Sequence, residues 1–438
     1  MNYNTAKIAI IGLGAEGLAT IKYLIAQYPN KELYAFDENI SQPKSFATNV
    51  LYHIGNSCLE KLLDFDIILV SPGISVYRQE LIAAQKNGAK IIPTTQLWYD
   101  RHKHDFCIFI TGTKGKSTTS SLIYHVLNNI KKNVHLIGNI GVPAIDSIVS
   151  SSDNIWIVET SSYQSVKLEV EPDITVLTNL YPEHINWHGS INQYYKDKLR
   201  LLNKSKLQII NSDIKAKVPN SNQSIYFNNS LGFHYKNNRI YNGNIEIGQI
   251  KQSSLKGSHN LENICAMLCV VNSMGVNIKH AIKLLDTFKQ MEHRLDEFAK
   301  IDNILYIDDC LSTIPQSTIS AINSYDNRKM ILIIGGMDRG LGEEWEKFAE
   351  YLATTNLFSI IGMPDTGFKI IKSLELMQCH AKLHYAKNLE EAVLIAKNTV
   401  PTGGAVLLSP AAPSHNQYKN YHQKSLLFQN LVKKKQSI

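Results

Sequence analysis

The feature that most constrains the fold is the stretch at residues 108–119, IFITGTKGKSTT, where an apolar strand leads into a glycine-rich turn that ends in Lys116 and Ser117. Such a turn points successive backbone N–H groups inward and opens a helix, so it forms a cradle for phosphate oxygens. We expect Lys116 to reach the terminal phosphates and Ser117 to contact Mg²⁺. Only two residues separate Gly112 from Gly115. This spacing is shorter and rarer than that of the usual P-loop.

Length and composition predict a globular protein of two or three domains. The chain has 438 residues, which is more than one hydrophobic core normally serves, and it is 44% hydrophobic and 19% charged. Its formal charge of +7 is modest for this length. No concentrated basic face with stacking aromatics stands out, so a nucleic-acid partner is not expected. The mild positive bias suits anionic small substrates.

The cysteine spacing and the hydropathy of the chain indicate the compartment in which the protein works. The six cysteines show no CxxC spacing, so neither a zinc site nor a disulfide framework is indicated. The sequence enters a strand at Lys7 without a signal peptide, and no apolar run reaches the ~18 residues of a membrane span. We therefore expect a cytoplasmic protein that does not insert stably into a membrane. A monomer is also expected.

The first segment, residues 1–100, has the pattern of a nucleotide-binding unit. Its first strand runs into the G-x-G-x-x-G sequence GLGAEG, and the next strand ends at Asp37, where such folds place a ribose-binding acid. A later strand runs into a turn with Ser71 and Gly73, at a strand end where such sheets bind ligands. The alternative is that the glycines only allow tight packing of strand against helix.

The second segment, residues 101–293, contains the phosphate loop and presents polar side chains at two later strand ends. Glu159 ends the strand NIWIVE, and His184 follows the strand DITVLTNL. A carboxylate at a strand tip beside a phosphate loop is well placed to bind Mg²⁺, which prefers oxygen ligands shared with substrate phosphates. Each residue alone is equally consistent with an ordinary loop position. Their shared position beside the phosphate loop favours a metal site.

Other features of the second segment allow two interpretations. The spacing of the helix INQYYKDKLRLL, taken alone, favours a solvated face that includes Lys198. Residues 202–256 contain short strands and Asn-Gly turns typical of antiparallel hairpins. Asn260 either caps the next helix or, with Asn263 on the same face, contacts a base or ribose.

The last segment, residues 294–438, alternates strands and helices in the manner of another doubly wound unit. Such a domain can bring its own groups over the phosphate loop when it closes. The predicted fold is therefore α/β with three domains, namely a Rossmann-like domain at 1–100, a P-loop ATPase-type domain at 101–293 and a Rossmann-like domain at 294–438.

Taken in order, these motifs resemble those of the Mur ligases of peptidoglycan synthesis, and most closely the branch that adds glutamate to UDP-N-acetylmuramoyl-L-alanine. The resemblance covers nearly the whole chain. It rests on GLGAEG, SPGI, TGTKGKST, GNIG, ETSSYQ, TNLYPEH, KDKLRLL, GSHNLEN, EHRLD, the pair DD before a Thr-rich turn, GGMDRG and LLSPAAPSHNQYKNY. No single motif is decisive, but the ordered set is highly specific.

The resemblance implies a role for each matching residue. Those that surround the UDP-linked substrate are Gly14, Ala15, Glu16, Asp37, Ser71, Gly73, Asn139 and Gln164. Those that bind ATP are Gly112, Thr113, Lys114, Gly115, Lys116, Ser117, Thr118, Asn260, Asn263, Arg294 and Asp309. Those that hold Mg²⁺ are Ser117, Glu159, His184 and Lys198, the last as a carbamate formed with CO₂. Those that receive the incoming glutamate are Thr313, Arg339, Ser414 and Tyr421. Catalysis would depend on Lys116, His184 and Lys198.

The implied reaction is an ATP-dependent ligation. ATP phosphorylates the alanine carboxylate, and the amino group of glutamate attacks the acyl phosphate to form an amide, ADP and phosphate. Two positions depart from the family pattern, since Leu311 replaces a lysine and Arg339 replaces another lysine while keeping its charge. A cation lost beside the amino-acid pocket could change the pose of the amino acid. The usual D-glutamate is therefore the first expectation and L-glutamate the alternative.

Three other classes of protein fit less well. A folylpolyglutamate synthetase-like ligase shares the short phosphate loop but has no need of a separate N-terminal nucleotide unit. An oxidoreductase would use that unit for NAD but would leave Lys116, Glu159 and Lys198 without a role. A non-catalytic scaffold that binds UDP-sugars would be expected to have lost the phosphate-loop or metal residues.

Overall fold

The computed structural model describes residues 2–38, 48–138, 144–147, 153–219, 221–250, 255, 257–288, 295–313, 315–325, 328–338, 343–414 and 417–434. The chain divides into two compact units. The first comprises Met1–Ile250 and Leu261–Asp286, and the second comprises Lys251–Asn260 and Thr287–Ile438. The domain boundaries after residues 100 and 293 remain a prediction.

The first unit begins with a five-stranded parallel sheet. Its strands are β1 (Ile8–Ile11), β2 (Leu33–Asp37), β3 (Val50–Ile54), β4 (Ile67–Val70) and β5 (Lys90–Pro93), in the order β3-β2-β1-β4-β5. Its helices are α1 (Ala15–Gln27), α2 (Gln79–Lys86) and α3 (Thr95–His102). Every residue of β1 and β4 is buried, as expected for strands covered on both faces. The order reverses beside β1, where doubly wound sheets bind ligands.

A second parallel sheet follows in the same unit. Its strands are β6 (Phe106–Thr111), β7 (Val134–Gly138), β8 (Ile155–Glu159), β9 (Ile174–Leu177), β10 (Leu207–Asn211) and β11 (Ser224–Phe227), in the order β11-β10-β9-β6-β8-β7. The helices that accompany it are α4 (Lys116–Asn128), α5 (Ser162–Ser165), α6 (Ile185–His188), α7 (Ile191–Leu199), α8 (Ser258–Ser273) and α9 (Ile278–Leu284). The carboxyl ends of the central strands β6, β8 and β9 meet at one edge, which is where the phosphate loop begins.

The predicted hairpins form a small antiparallel sheet of β12 (Phe233–Lys236), β13 (Arg239–Asn242) and β14 (Ile245–Gln249). Asn237 and Asn238 join β12 to β13, and both have positive φ. Asparagine tolerates this conformation better than most residues, which explains the tight two-residue turn.

The second unit contains a six-stranded sheet. Its strands are β15 (Asp296–Ile301), β16 (Ile304–Asp308), β17 (Met330–Ile334), β18 (Ser359–Gly362), β19 (Lys382–Tyr385) and β20 (Ala405–Leu408), in the order β15-β16-β20-β17-β18-β19. Its helices are α10 (Pro315–Asn323), α11 (Glu343–Ala353), α12 (Thr366–Leu376), α13 (Leu389–Thr399) and α14 (Tyr421–Lys433). Only β15 runs antiparallel to its neighbour. The predicted α/β class, with three largely parallel sheets, is confirmed. No helix in the described part of the chain is long and apolar enough to cross a membrane.

Candidate active site

The phosphate loop joins β6 to α4 and depends on glycine at two positions. Gly112 has φ +143°, and a Cβ there would lie 1.9 Å from Thr178 Oγ1. Gly115 has φ +80°, and a Cβ there would lie 2.4 Å from Asn263 Oδ1. A side chain at either position would meet both a disfavoured backbone conformation and a collision. The loop can therefore turn this tightly only with glycine at both places.

Lys116 and Ser117, which the sequence placed at the end of the turn, are the first two residues of helix α4. Lys116 Nζ donates to the carbonyl oxygens of Gly112 and Thr113, both at 2.9 Å, so the cation lies across the loop. Ser117 Oγ donates to Glu159 Oε1 at 3.0 Å. The hydroxyl at the start of α4 and the carboxylate at the end of β8 are thus in contact. Both are oxygen donors of the kind that Mg²⁺ binds.

The remaining loop residues hold the loop in place. The side chain of Thr113 is buried and contacts Tyr194 Oη at 2.8 Å. Lys114 makes an ion pair with Glu183 at 3.1 Å, and its backbone N–H donates to Asn179 at 2.8 Å. Thr118 is buried in the first turn of α4. Sequence reasoning assigned no site role to Tyr194, Asn179 or Glu183; for Glu183 its place beside His184 was an available signal.

Lys198 is buried, whereas Lys196 on the same helix and Arg200 directly after it are exposed. Its Nζ donates to Gly112 O at 2.7 Å and lies 5.1 Å from the ring centroid of Tyr194. Burial, together with the charge of the nearby Lys116, lowers the pKa of Lys198 well below its usual value. The solvated face that spacing alone favoured is therefore wrong for this residue, because α7 turns it toward the phosphate loop.

His184 and Glu183 lie at the next strand end, after β9. Burial above all, together with the charges of Lys114, Lys198 and Lys116, lowers the pKa of His184 to about 4 against the opposing effect of Glu183. The neutral ring that results is the form that binds metal ions. Burial raises the pKa of Glu183, but the opposite charges around it, Lys114 first, bring it down to about 2.

The protein itself offers few side chains that could bind a metal ion at this site. Within the described residues, no three side chains of His, Cys, Asp or Glu converge on one point. Mg²⁺ is commonly held by one or two carboxylates together with substrate phosphates and water. The contact between Ser117 and Glu159, beside a phosphate cradle, fits that mode of binding.

The predicted UDP-substrate residues lie around the switch point of the first sheet. Glu16, on α1, accepts hydrogen bonds from Thr94 at 2.6 Å and from Gln164 at 3.2 Å. Asp37 accepts from the backbone N–H of Leu13 at 2.7 Å. The pair Glu16 and Gln164 therefore joins the first sheet to the second within one compact unit.

Other residues predicted for this site shape its backbone. Ser71 Oγ donates to Gly12 O at 2.7 Å and so fixes the glycine-rich turn. Gly14 precedes α1, Ala15 is its first residue, and Gly73 lies on the exposed turn after β4. Asn139 lies outside the described residues.

Of the predicted adenine-side residues, Asn263 Oδ1 accepts from Thr119 Oγ1 at 3.1 Å, close to the phosphate loop. Asn260 is buried two residues inside α8, so it does not cap that helix. Asp309 follows β16, and its carboxylate accepts from Ser409 Oγ at 2.6 Å and from the N–H of Leu295 at 3.3 Å. Arg294 lies outside the described residues.

The second unit holds the residues predicted to receive glutamate. Ser414 is buried, and its Oγ makes no hydrogen bond within the described residues. Thr313 is half-buried, and Tyr421 is exposed at the start of α14. Arg339 lies outside the described residues. Sequence reasoning missed Lys424, a buried lysine whose Nζ donates to Gly335 O at 2.8 Å, directly before the GMD turn.

The strand, the short glycine-rich loop and the helix, with a lysine and a hydroxyl at the helix start and an acid at the adjacent strand end, define a P-loop nucleotide-binding enzyme. Comparison with known proteins narrows this class. A family model of the Mur ligase middle domain matches residues 110–271, and a model of the Mur ligase MurD-like N-terminal domain matches residues 6–93.

Two relatives match almost end to end. A UDP-N-acetylmuramoyl-L-alanine–L-glutamate ligase of Xanthomonas oryzae pv. oryzae is 32% identical, with 97% of this chain and 94% of that protein aligned. A protein of the same name from Salinispora tropica is 31% identical, with 98% and 97% aligned. The chain belongs to the Mur ligase family and is an ATP-dependent ligase.

Solved structures agree on the fold. The MurF ligase of Thermotoga maritima in complex with ADP superposes with a TM-score of 0.61 at 15% identity, over 98% of this chain and 96% of that one. The UDP-N-acetylmuramate-alanine ligase MurC of the same organism gives 0.59 at 16% identity, over 98% and 99%. At these identities the likeness concerns the fold alone.

Proposed function

We propose that this ligase joins L-glutamate to the alanine carboxylate of UDP-N-acetylmuramoyl-L-alanine, with cleavage of ATP to ADP and phosphate, in peptidoglycan precursor synthesis. The observation that carries the substrate assignment is the near end-to-end match to relatives named for this reaction. Those names carry L-glutamate, so they favour the isomer that the sequence kept as the alternative. The loss of a lysine at Leu311 is consistent with a changed amino-acid pocket.

In the proposed reaction, the residues around the phosphate loop have separate roles. An oxygen of the alanine carboxylate attacks the γ-phosphorus, the bond to the β–γ bridging oxygen breaks and ADP leaves. Lys116 and the N–H groups at the start of α4 offset the charge of the phosphates. Mg²⁺, when bound by Ser117, Glu159 and the phosphates, supplies further charge neutralisation. The glutamate amine then attacks the acyl carbon, phosphate leaves, and the amine loses a proton.

Lys198 is the residue we propose to be carbamylated. Its burial and the lowering of its pKa favour the neutral amine, whose nitrogen can form a bond to the carbon of CO₂ with release of one proton to solvent. The product is an anionic oxygen donor beside Gly112, close to the loop that receives the triphosphate. His184, kept neutral by burial, would serve as a further ligand for Mg²⁺.

The second unit is proposed to supply the amino-acid site. The buried Ser414 hydroxyl, with Thr313, Tyr421 and Arg339, would contact the incoming glutamate. On the nucleotide, Asn260, Asn263, Arg294 and Asp309 would contact ATP. The cytoplasmic location and the monomeric state expected from the sequence remain predictions.

The decisive experiment measures phosphate release from ATP with UDP-N-acetylmuramoyl-L-alanine and either L- or D-glutamate, with mass spectrometry of the product. We expect release with L-glutamate and little with D-glutamate. Release with D-glutamate alone would reverse the isomer assignment, and no release with either would overturn the proposed reaction. A Lys116→Ala variant checks that the activity arises at the phosphate loop. A folate acceptor in place of the UDP-linked substrate tests the folylpolyglutamate alternative.

A further inference from the structure

His188 lies at the centre of a buried hydrogen-bond network beside the phosphate loop. Its Nδ1 is 2.7 Å from Asp197 Oδ2, and its Nε2 is 3.0 Å from Ser162 Oγ. Because a carboxylate only accepts, Nδ1–H donates to Asp197, while Nε2 shares a hydrogen bond with the Ser162 hydroxyl. The three residues are 2%, 5% and 2% exposed for His188, Asp197 and Ser162, so water does not compete for these bonds.

Each member of this network belongs to a short segment that also carries one residue proposed to bind the metal. The pairs on one segment are Ser162 with Glu159, His188 with His184, and Asp197 with Lys198. The segment of His188 is itself closed by a hydrogen bond from its backbone N–H to His184 O at 3.2 Å. The network therefore ties together the three segments that carry the proposed metal ligands.

The first sheet reaches the same network through Tyr77. Its hydroxyl lies 2.7 Å from both oxygens of Asp197, and Gln193 Nε2 bonds to the same hydroxyl and to Asp197 at 2.7 Å. Nearby, Ser75 Oγ donates to Trp187 O at 2.7 Å. Tyr77 and Ser75 continue the turn after β4 that is proposed to bind the UDP-linked substrate. The substrate-binding turn is thus bonded directly to the helices of His184 and Lys198.

The chain of contacts from Ser162 to His188 to Asp197 has the composition of a nucleophilic triad. A nucleophile must be open to its substrate, and Ser162 is only 2% exposed. The hydroxyl is also committed to His188 inside the fold. The three residues therefore hold their segments in position and do not form a covalent intermediate.

We propose that His188, Asp197 and Tyr77 are positioning residues, which fix Glu159, His184 and Lys198 relative to one another and to the substrate-binding turn. This inference rests on the proposed function in one respect, namely that those three residues hold the metal. Replacing residues that support metal ligands without contacting the metal typically weakens metal affinity by about 10- to 100-fold. Replacing Asp197 should therefore change the Mg²⁺ requirement more than it changes glutamate binding.

The test compares Asp197→Asn and Tyr77→Phe with wild type. We expect the Mg²⁺ concentration for half-maximal phosphate release to rise by about 10-fold and kcat to fall, while the KM for glutamate changes by less than about 2-fold. The double variant should be no worse than Asp197→Asn alone, because both changes cut the same network. Tyr99→Phe is the matched control, since Tyr99 Oη, on α3, accepts from Glu171 N at 2.8 Å, outside the network of His188. It should leave the Mg²⁺ requirement unchanged.

A binding measurement separates this proposal from the proposed function. Binding of Mn²⁺ with a non-hydrolysable ATP analogue, followed by electron paramagnetic resonance, does not require turnover. About a 10-fold weaker affinity in Asp197→Asn supports the network. Unchanged Mn²⁺ affinity and Mg²⁺ requirement in both variants, with only a lower melting temperature, would overturn it. If Asp197→Asn does not fold, Tyr77→Phe, which removes one hydroxyl, decides in the same way. If wild type releases no phosphate, the proposed function fails while the Mn²⁺ comparison still decides the network.

Discussion

Lys198 Nζ donates a hydrogen bond to the carbonyl oxygen of Gly112 at 2.7 Å, which joins helix α7 to the first glycine of the phosphate loop. The lysine is buried beside Lys116, whose Nζ bonds to the same carbonyl oxygen. The Nζ atoms of two lysines thus converge on one carbonyl oxygen of the phosphate loop. Substitutions in α7 should therefore affect the binding of the phosphates.

Lys198→Ala should lower phosphate release by at least about 100-fold, the usual loss when one group that stabilises transition-state charge is removed. A short carboxylic acid such as formate should restore part of the activity by supplying the missing anionic oxygen. Lys196→Ala, two residues away on the exposed face, should have little effect. Full activity in Lys198→Ala would remove the carbamate from the mechanism.

Ser117→Ala and Glu159→Gln should each raise the Mg²⁺ concentration needed for half-maximal activity, by about 10-fold or more. The reason is that the two side chains, 3.0 Å apart, present the oxygen donors proposed for the ion. A magnesium titration of phosphate release measures the shift. Ser273→Ala, whose hydroxyl donates to Val270 O at 2.7 Å within α8, serves as the control. An unchanged titration in both site variants would place the ion elsewhere.

Gly115→Ala should weaken ATP binding and lower the free energy of unfolding by about 1–2 kcal/mol for the left-handed backbone alone. The added methyl group would also lie 2.4 Å from Asn263 Oδ1. Gly243→Ala is a matched control, because Gly243 also has positive φ, at +57°, but its nearest neighbour would be 3.9 Å away. The control should lose stability and keep ATP affinity, as measured by calorimetry. Equal ATP affinity in both variants would show that the loop tolerates the collision.

Lys424→Met should stabilise the protein at neutral pH, and the gain should shrink as the pH rises. Burial lowers the pKa of Lys424 from 10.5 to about 8. Below pH 8 both folded and unfolded states carry the proton, so the folded state bears the full cost of a buried charge, about 3 kcal/mol for a shift of this size. Between pH 8 and 10.5 the folded state loses the proton first and the cost disappears.

Denaturant unfolding of wild type and Lys424→Met at pH 7 and pH 10 measures that difference. Lys372→Met, on the exposed face of α12, should show no such dependence on pH. A gain that is the same at both pH values would mean that the ammonium is stabilised where it lies, and that its bond to Gly335 O outweighs burial.

Local sequence patterns were sufficient for the parts of the site that lie within one turn of chain. The phosphate loop, the helix that follows it and the strand end at Glu159 all follow from nearby residues, because glycine spacing and apolar runs act over short distances. The class of fold follows in the same way from alternating strands and helices. The order of strands within each sheet does not, because pairing joins residues far apart in the chain.

The sequence by itself determined the ligase family, the α/β class and the identity of the phosphate-loop residues. Only the tertiary structure decided that Lys198 is buried while Lys196 is solvated, since helical spacing cannot tell which face another element covers. It alone brought Tyr77, Asp197 and His188 together, from segments up to 120 residues apart. Those contacts join the segment after β4 to helices α6 and α7, and a pattern of neighbouring residues does not show which distant segments meet.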